Sequence, residues 1–151
     1  MIIKSLEHLK LLSIKIGKKL SRSDCLLLSG EIGVGKTTFS RYLINFLQNE
    51  QGIKLTEVLS PTFNLLYEYE LKKFKVMHYD LYRLKDKKEV EQLGIFKESN
   101  QTVKIIEWPE LLKDNIINKL ELNFSYKDKE SERNVEIKKY GKWENFSINE
   151  L

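Results

Sequence analysis

The chain has 151 residues, 41% of them apolar, 32% charged and 11% aromatic, with a formal net charge of +4. That length points to a single domain over 1–151, able to bury roughly 70% of the surface its unfolded form exposes, and the composition excludes an aromatic-poor disordered chain. One cysteine, Cys25, excludes an internal disulfide. No run of about 18 uncharged apolar residues exists to cross a membrane, and the start, Met1 to Ser5, lacks the pattern of a signal peptide, so the expected location is cytoplasmic. The basic excess is local: residues 1–23 carry +5 and the remainder −1, which makes net charge weak evidence for a nucleic-acid partner.

In chain order, Leu6, Leu9, Leu12, Ile16 and Leu20 recur at helical spacing, with Ser5 available as N-cap, and predict an amphipathic helix over 5–20. A basic helix on a membrane or RNA is the rival reading, but this stripe is what any core-facing helix needs. Cys25-Leu26-Leu27-Leu28 reads as a strand buried on both faces, the habit of a parallel sheet. Phe39, Leu43, Phe46 and Leu47 form the stripe of a second helix over 37–50, with Gly52 just past its end. Runs 64–70 and 74–80 flank Leu71-Lys72-Lys73 as an antiparallel hairpin. Asp86 three residues before Glu89 predicts a capped short helix closed by Gly94. Val103 to Ile106 reads as a further strand, and 120–126 with 134–140 as two closing strands. The sum is an α/β protein with a mixed parallel and antiparallel sheet, hairpins dominating its later half.

Gly30-Glu31-Ile32-Gly33-Val34-Gly35-Lys36-Thr37 satisfies the G-x-x-x-x-G-K-[ST] pattern between a buried strand and a helix. Glycines let successive backbone N–H groups turn towards phosphate oxygens, and the helix N-terminus adds partial positive charge. Lys36 is then placed to reach β- and γ-phosphates and the Thr37 hydroxyl to bind Mg²⁺. Hydrolysis further needs a carboxylate for the metal and a group that orients water. Asp80 and Glu107 both end strands, where ligands of open α/β sheets collect; the residues alone leave open which acid takes which task.

Taken together, Gly30 to Thr38, Ser60-Pro61-Thr62-Phe63, His78-Tyr79-Asp80-Leu81-Tyr82-Arg83-Leu84 and Ile106-Glu107-Trp108-Pro109-Glu110 resemble the TsaE (YjeE) family of small bacterial P-loop ATPases. Ser13-x-x-Ile16-Gly17 looks like that family's T-x-x-L-G, with serine in place of threonine. The resemblance implies a P-loop NTPase-like three-layer sandwich and an ATP site on Gly30, Gly33, Val34, Gly35, Lys36, Thr37 and Thr38, with Trp108 and Arg133 nearby. It implies Mg²⁺ ligation by Thr37 and Glu107, and catalytic roles for Lys36, Asp80 and Glu107. It further implies work with TsaD and TsaB homologues in making threonylcarbamoyladenosine (t6A) in tRNA, with tRNA met only through that complex.

Ser60-Pro61-Thr62 is a fixed turn with two hydroxyls, suited to ordering on a γ-phosphate. His78 lies on one strand face with Asp80 and reads as a core histidine hydrogen-bonded to a neighbour, while Tyr67, Tyr69, Tyr79 and Tyr82 read as sheet packing. No evident arginine finger accompanies these motifs, which predicts a slow ATPase completed by a partner. A small-molecule P-loop kinase is the alternative; only four arginines and no lid-length insertion count against it, and no N-K-x-D motif supports a GTPase.

Overall fold

The first amphipathic stretch forms α1 (Leu6–Gly17), with the Ser5 hydroxyl accepting from the His8 N–H at 3.2 Å, in a computed structural model describing residues 1–97, 100–112, 116–127 and 131–148. Leu9, Leu12 and Ile16 are its buried stripe. The helix ends three residues short of the expected 20, at Gly17, and space sets what stands there. A Cβ on Gly17 would lie 2.6 Å from the ring of Phe46 on α2 (Lys36–Glu50), so the missing side chain lets the two helices meet. Ser13 is buried and its hydroxyl donates to the Lys10 carbonyl at 2.7 Å, inside its own helix.

β2 (Cys25–Ser29) occupies the centre of the sheet, parallel to β5 (Thr102–Glu107) on one side and to β6 (Lys119–Tyr126) on the other. β4 (Lys75–Asp80) continues the parallel set beside β5, and β3 (Leu66–Glu70) closes that flank antiparallel to β4. β7 (Arg133–Lys139) returns antiparallel to β6. The outermost strand, β1 (Ile2–Ile3), pairs with β7 and was not expected, because two residues carry no pattern. The order is β1-β7-β6-β2-β5-β4-β3. Hairpins therefore occupy the two flanks, while the centre is parallel throughout.

Alternation along the strands feeds two cores. Leu26, Leu28, Val103, Ile105, Leu120 and Leu122 face the layer of α1 and α2. Leu27, Met77, Tyr79 and Ile106 face the opposite layer, which includes Val90 of α3 (Lys87–Gln92). The α3 N-terminus carries the anticipated capping box, Asp86 accepting from the Glu89 N–H at 3.0 Å and Glu89 from the Asp86 N–H at 3.4 Å. Helices on both faces of a mixed sheet make this the three-layer α/β sandwich the sequence predicts. Cys25 is part of that core, and burial pushes its thiol up to about 12, which leaves no thiolate for chemistry. Among the described residues no helix is long and apolar enough to cross a membrane.

Candidate nucleotide and metal site

Because β2, β4 and β5 run parallel, their carboxyl ends reach the same edge of the sheet, and every group considered below stands there. The loop from Gly30 to Gly35 leaves β2 and enters α2 directly. Gly30 has φ +127° and a Cβ there would fall 2.2 Å from the Phe124 carbonyl oxygen of β6, so backbone conformation and space both require glycine. Gly35, at φ +120°, is the N-cap, and its carbonyl accepts the Phe39 N–H at 2.9 Å to start the helix. Val34 points the other way, with its side chain in the core, 2% exposed.

A cleft of about 290 Å³ opens over this loop, lined by Gly33, Gly35, Lys36, Thr37 and Thr38 on one side and by Ser60, Thr62, Asp80, Tyr82, Glu107 and Trp108 on the other. Lys36 is 4% exposed; its ammonium donates to the carbonyls of Gly30 at 2.6 Å and Glu31 at 2.8 Å and lies 4.1 Å from the centre of the Trp108 ring. Burial lowers its pKa, against the opposing pull of Glu107 and Asp80. The lysine is folded back onto its own loop, and a phosphate in the loop would offer oxygens in place of those two carbonyls.

The two acids are register partners on neighbouring strands, Asp80 opposite Glu107. Glu107 is 1% exposed and wrapped by donors. Thr37 donates to Oε2 at 2.9 Å, Ser40 lies 3.3 Å from Oε1, and His78 Nε2 lies 2.8 Å from Oε1. Asp80 is held by different partners: its Oδ2 accepts from Thr62 at 3.0 Å and its Oδ1 from the Tyr82 N–H at 2.9 Å. Ser60 and Thr62 share a hydrogen bond of 2.9 Å, so the Ser-Pro-Thr turn is tied by hydroxyls to one of the two acids.

The donor set suits a magnesium ion shared with a phosphate ligand. A hydroxyl and a carboxylate oxygen 2.9 Å apart at the mouth of a phosphate loop are hard oxygen donors, and Mg²⁺ is commonly held by one or two carboxylates with substrate phosphates completing its shell. Among the described residues no group of three or more His, Cys, Asp or Glu is placed to hold a metal ion.

Trp108 adopts a left-handed backbone, φ 57° and ψ 60°, with its N–H on the Leu28 carbonyl at 3.0 Å. That geometry turns the ring over Lys36 and against Tyr82, 4.7 Å between ring centres. Tyr82 is thus a cleft residue, 49% exposed, rather than sheet packing; its place two residues past Asp80, beyond the strand end, was the available signal. Ser40 was also missed, although it stands one helical turn after Lys36. Arg133 lies behind the phosphate loop, its guanidinium carbon 4.5 Å from the centre of the Tyr126 ring, whose hydroxyl donates to the Ile32 carbonyl at 2.8 Å.

With this geometry in view, comparison with known proteins is decisive. Residues 3–135 match the family model described as threonylcarbamoyl adenosine biosynthesis protein TsaE. The chain belongs to the TsaE family. It is 40% identical over 111 residues to the tRNA threonylcarbamoyladenosine biosynthesis protein TsaE of Rickettsia conorii, a match covering 74% of this chain and 61% of the relative. With the Aquifex aeolicus TsaE it shares 36% over 109 residues, 72% and 75% of the two chains. The chain spans less than two thirds of the length of the Rickettsia conorii and Rickettsia felis relatives, 61% and 64%. Among solved structures, Bacillus subtilis YdiB superposes with a TM-score of 0.69 over 93% of this chain and 84% of its own, at 23% identity, which speaks for the fold alone.

Within this TsaE-family site Asp80 carries a cost that can be measured. Burial raises its pKa, the hydrogen bonds from Tyr82 and Thr62 lower it in part, and the charge of Glu107 raises it again. An acid that holds its proton more tightly when folded contributes stability below the unfolded carboxylate pKa, about 3.9, and that contribution is lost as pH rises through the folded value. Asp80→Asn removes the charge, keeps the Tyr82 N–H on its amide oxygen, and can keep the Thr62 contact by donating its amide nitrogen to that hydroxyl. The expected result is a variant that resists urea better than wild type at pH 7, the difference closing towards pH 3. Equal midpoints at both pH values would mean the carboxylate carries no such strain.

Proposed function

We propose that this chain binds ATP with Mg²⁺, hydrolyses it slowly on its own, and serves as the nucleotide-driven component of the t6A tRNA-modification machinery, acting with TsaD and TsaB homologues. The observation that supports the reading best is the direct contact between Thr37 of the phosphate loop and Glu107, with Lys36 buried one residue away. The named role of its relatives in tRNA threonylcarbamoyladenosine biosynthesis supplies the pathway.

In this reading the loop amides from Gly33 to Thr38 hold the β- and γ-phosphates and Lys36 neutralises their charge. Thr37 and Glu107 would hold the metal, and a metal held there would supply positive charge against the charge developing on the phosphates. Asp80 faces the same cleft from β4 and orients the attacking water, while Ser60 and Thr62 respond to the γ-phosphate by exchanging their present hydrogen bonds for phosphate oxygens. The Trp108 ring covers Lys36, with the Tyr82 ring tilted against it, and together they limit access of bulk water.

The test is to follow ATP and GTP with the isolated protein and with added TsaD and TsaB homologues, with and without Mg²⁺. Slow Mg²⁺-dependent release of free phosphate from ATP, increased by the partners together with repeated rounds of t6A formation, is the expected result. Transfer of the phosphoryl group to a small acceptor in a nucleoside panel would favour the kinase alternative instead.

A further inference from the structure

His78 is 0% exposed and sits on β4 opposite Ile105, diagonal to Glu107 across the parallel pair, with its Nε2 2.8 Å from Oε1. A carboxylate oxygen only accepts, so the ring must donate from Nε2. The other nitrogen, Nδ1, is buried with no hydrogen-bond partner. A proton on Nδ1 would be a buried donor with nothing to receive it, whereas the Nε2–H tautomer commits its one ring proton to Glu107 and leaves Nδ1 as an acceptor only. The ring is thereby fixed as the Nε2–H tautomer, able to do one thing, which is to hold one oxygen of Glu107. Ser40, from α2, is the weaker second holder at 3.3 Å.

We propose that His78 is a positioning residue: by anchoring Oε1 of Glu107 it keeps Oε2 turned to Thr37 and so sets the carboxylate orientation in which metal is bound. The inference rests on the proposed metal role of Glu107. It explains why a histidine occupies a fully buried position where an apolar residue would pack without an unpaired nitrogen. It also assigns the two oxygens of one carboxylate different tasks, Oε1 structural and Oε2 directed at the ligand.

Two measurements test this, and the first needs no ligand. The chain has only two histidines, His8 and His78, so ring nitrogen shifts from long-range proton–nitrogen NMR of the metal-free protein are readily assigned. His78 should report the Nε2–H tautomer, with a slowly exchanging ring proton whose resonance moves in Glu107→Gln. An Nδ1–H tautomer, or no response to Glu107→Gln, overturns the proposal. The second measurement compares His78→Leu, which fills the space without a donor, with His78→Gln, whose amide nitrogen lies near the position of Nε2. His78→Leu should raise the Mg²⁺ concentration for half-maximal binding to the nucleotide-loaded protein by about tenfold or more, leave metal-free ADP binding within about twofold, and be largely rescued in His78→Gln. An unchanged Mg²⁺ requirement in His78→Leu, or equal impairment in a folded His78→Gln, overturns it; if His78→Leu does not fold, the His78→Gln metal titration and the NMR result decide. Wild-type protein that binds no Mg²⁺–nucleotide at all, while showing the Nε2–H tautomer, would instead refute the proposed metal role of Glu107.

Discussion

Lys36→Ala should reduce ATP hydrolysis by at least about a hundredfold while leaving thermal unfolding close to wild type. The rate estimate follows from the loss typical when one preorganised donor to developing negative charge is removed, about 10²–10³. Little compensation is available, because the other donors at the phosphates are backbone amides already committed to the loop. The fold should tolerate the change, since the start of α2 is secured by the Gly35 carbonyl and the buried Phe39 rather than by the lysine. Lys36→Arg is not a conservative rescue: a planar fork does not fit the small space between the Gly30 and Glu31 carbonyls and the Trp108 ring. Phosphate release and repeated t6A formation measured side by side would check the expectation. Hydrolysis within tenfold of wild type would remove Lys36 from the mechanism.

The second large effect is expected at Glu107, where two substitutions separate chemistry from stability. Glu107→Gln can place its amide oxygen towards His78 and Ser40 and its nitrogen towards the Thr37 hydroxyl, which rotates to accept. The variant should fold, and the response of nucleotide binding and hydrolysis to Mg²⁺ should be lost, with rate falling by at least about a hundredfold. Glu107→Ala leaves the Thr37 and His78 donors facing a void, while Ser40 keeps the Lys36 carbonyl at 3.1 Å, and should also lose roughly 1–3 kcal/mol of stability. Urea unfolding of both variants with a Mg²⁺ titration of each checks this. A Glu107→Gln protein with normal Mg²⁺ dependence would move the metal to Asp80.

Much of this was legible in the residues because the interactions concerned are local or periodic. The phosphate loop is eight consecutive residues whose conformation its own glycines dictate, and the central strand announces itself by being apolar on both faces. The capping box of α3 is likewise written within four residues. What the sequence withheld is long-range. Ser40 and Glu107 are 67 positions apart and His78 and Glu107 29 apart, so no local pattern reveals that they share one carboxylate. Tyr82 has the composition of a packing residue, and only the backbone turn after β4 delivers it to the cleft. The resemblance points to Arg133 as a neighbour of the nucleotide; in the fold its guanidinium packs on the Tyr126 ring, whose hydroxyl donates to the Ile32 carbonyl of the loop, a pairing no local pattern reveals. The parallel centre was underestimated for a related reason, since a closing strand reads the same whichever direction its neighbour runs.

The alignment of Asp80 with Glu107 makes the sheet a ruler. Side chains alternate along a strand, so inserting or deleting one residue within Lys75–Asp80 or Thr102–Glu107 would turn every later side chain to the opposite face and carry one acid away from α2 altogether. The Leu71 to Phe74 connection, at the far end of the same strands, carries no such constraint. Tolerance to changes in length should therefore divide sharply between the two ends of the molecule, and an insertion series in the β3–β4 turn is where added sequence, such as a label or a tether, can be accommodated without disturbing the spacing of the two carboxylates.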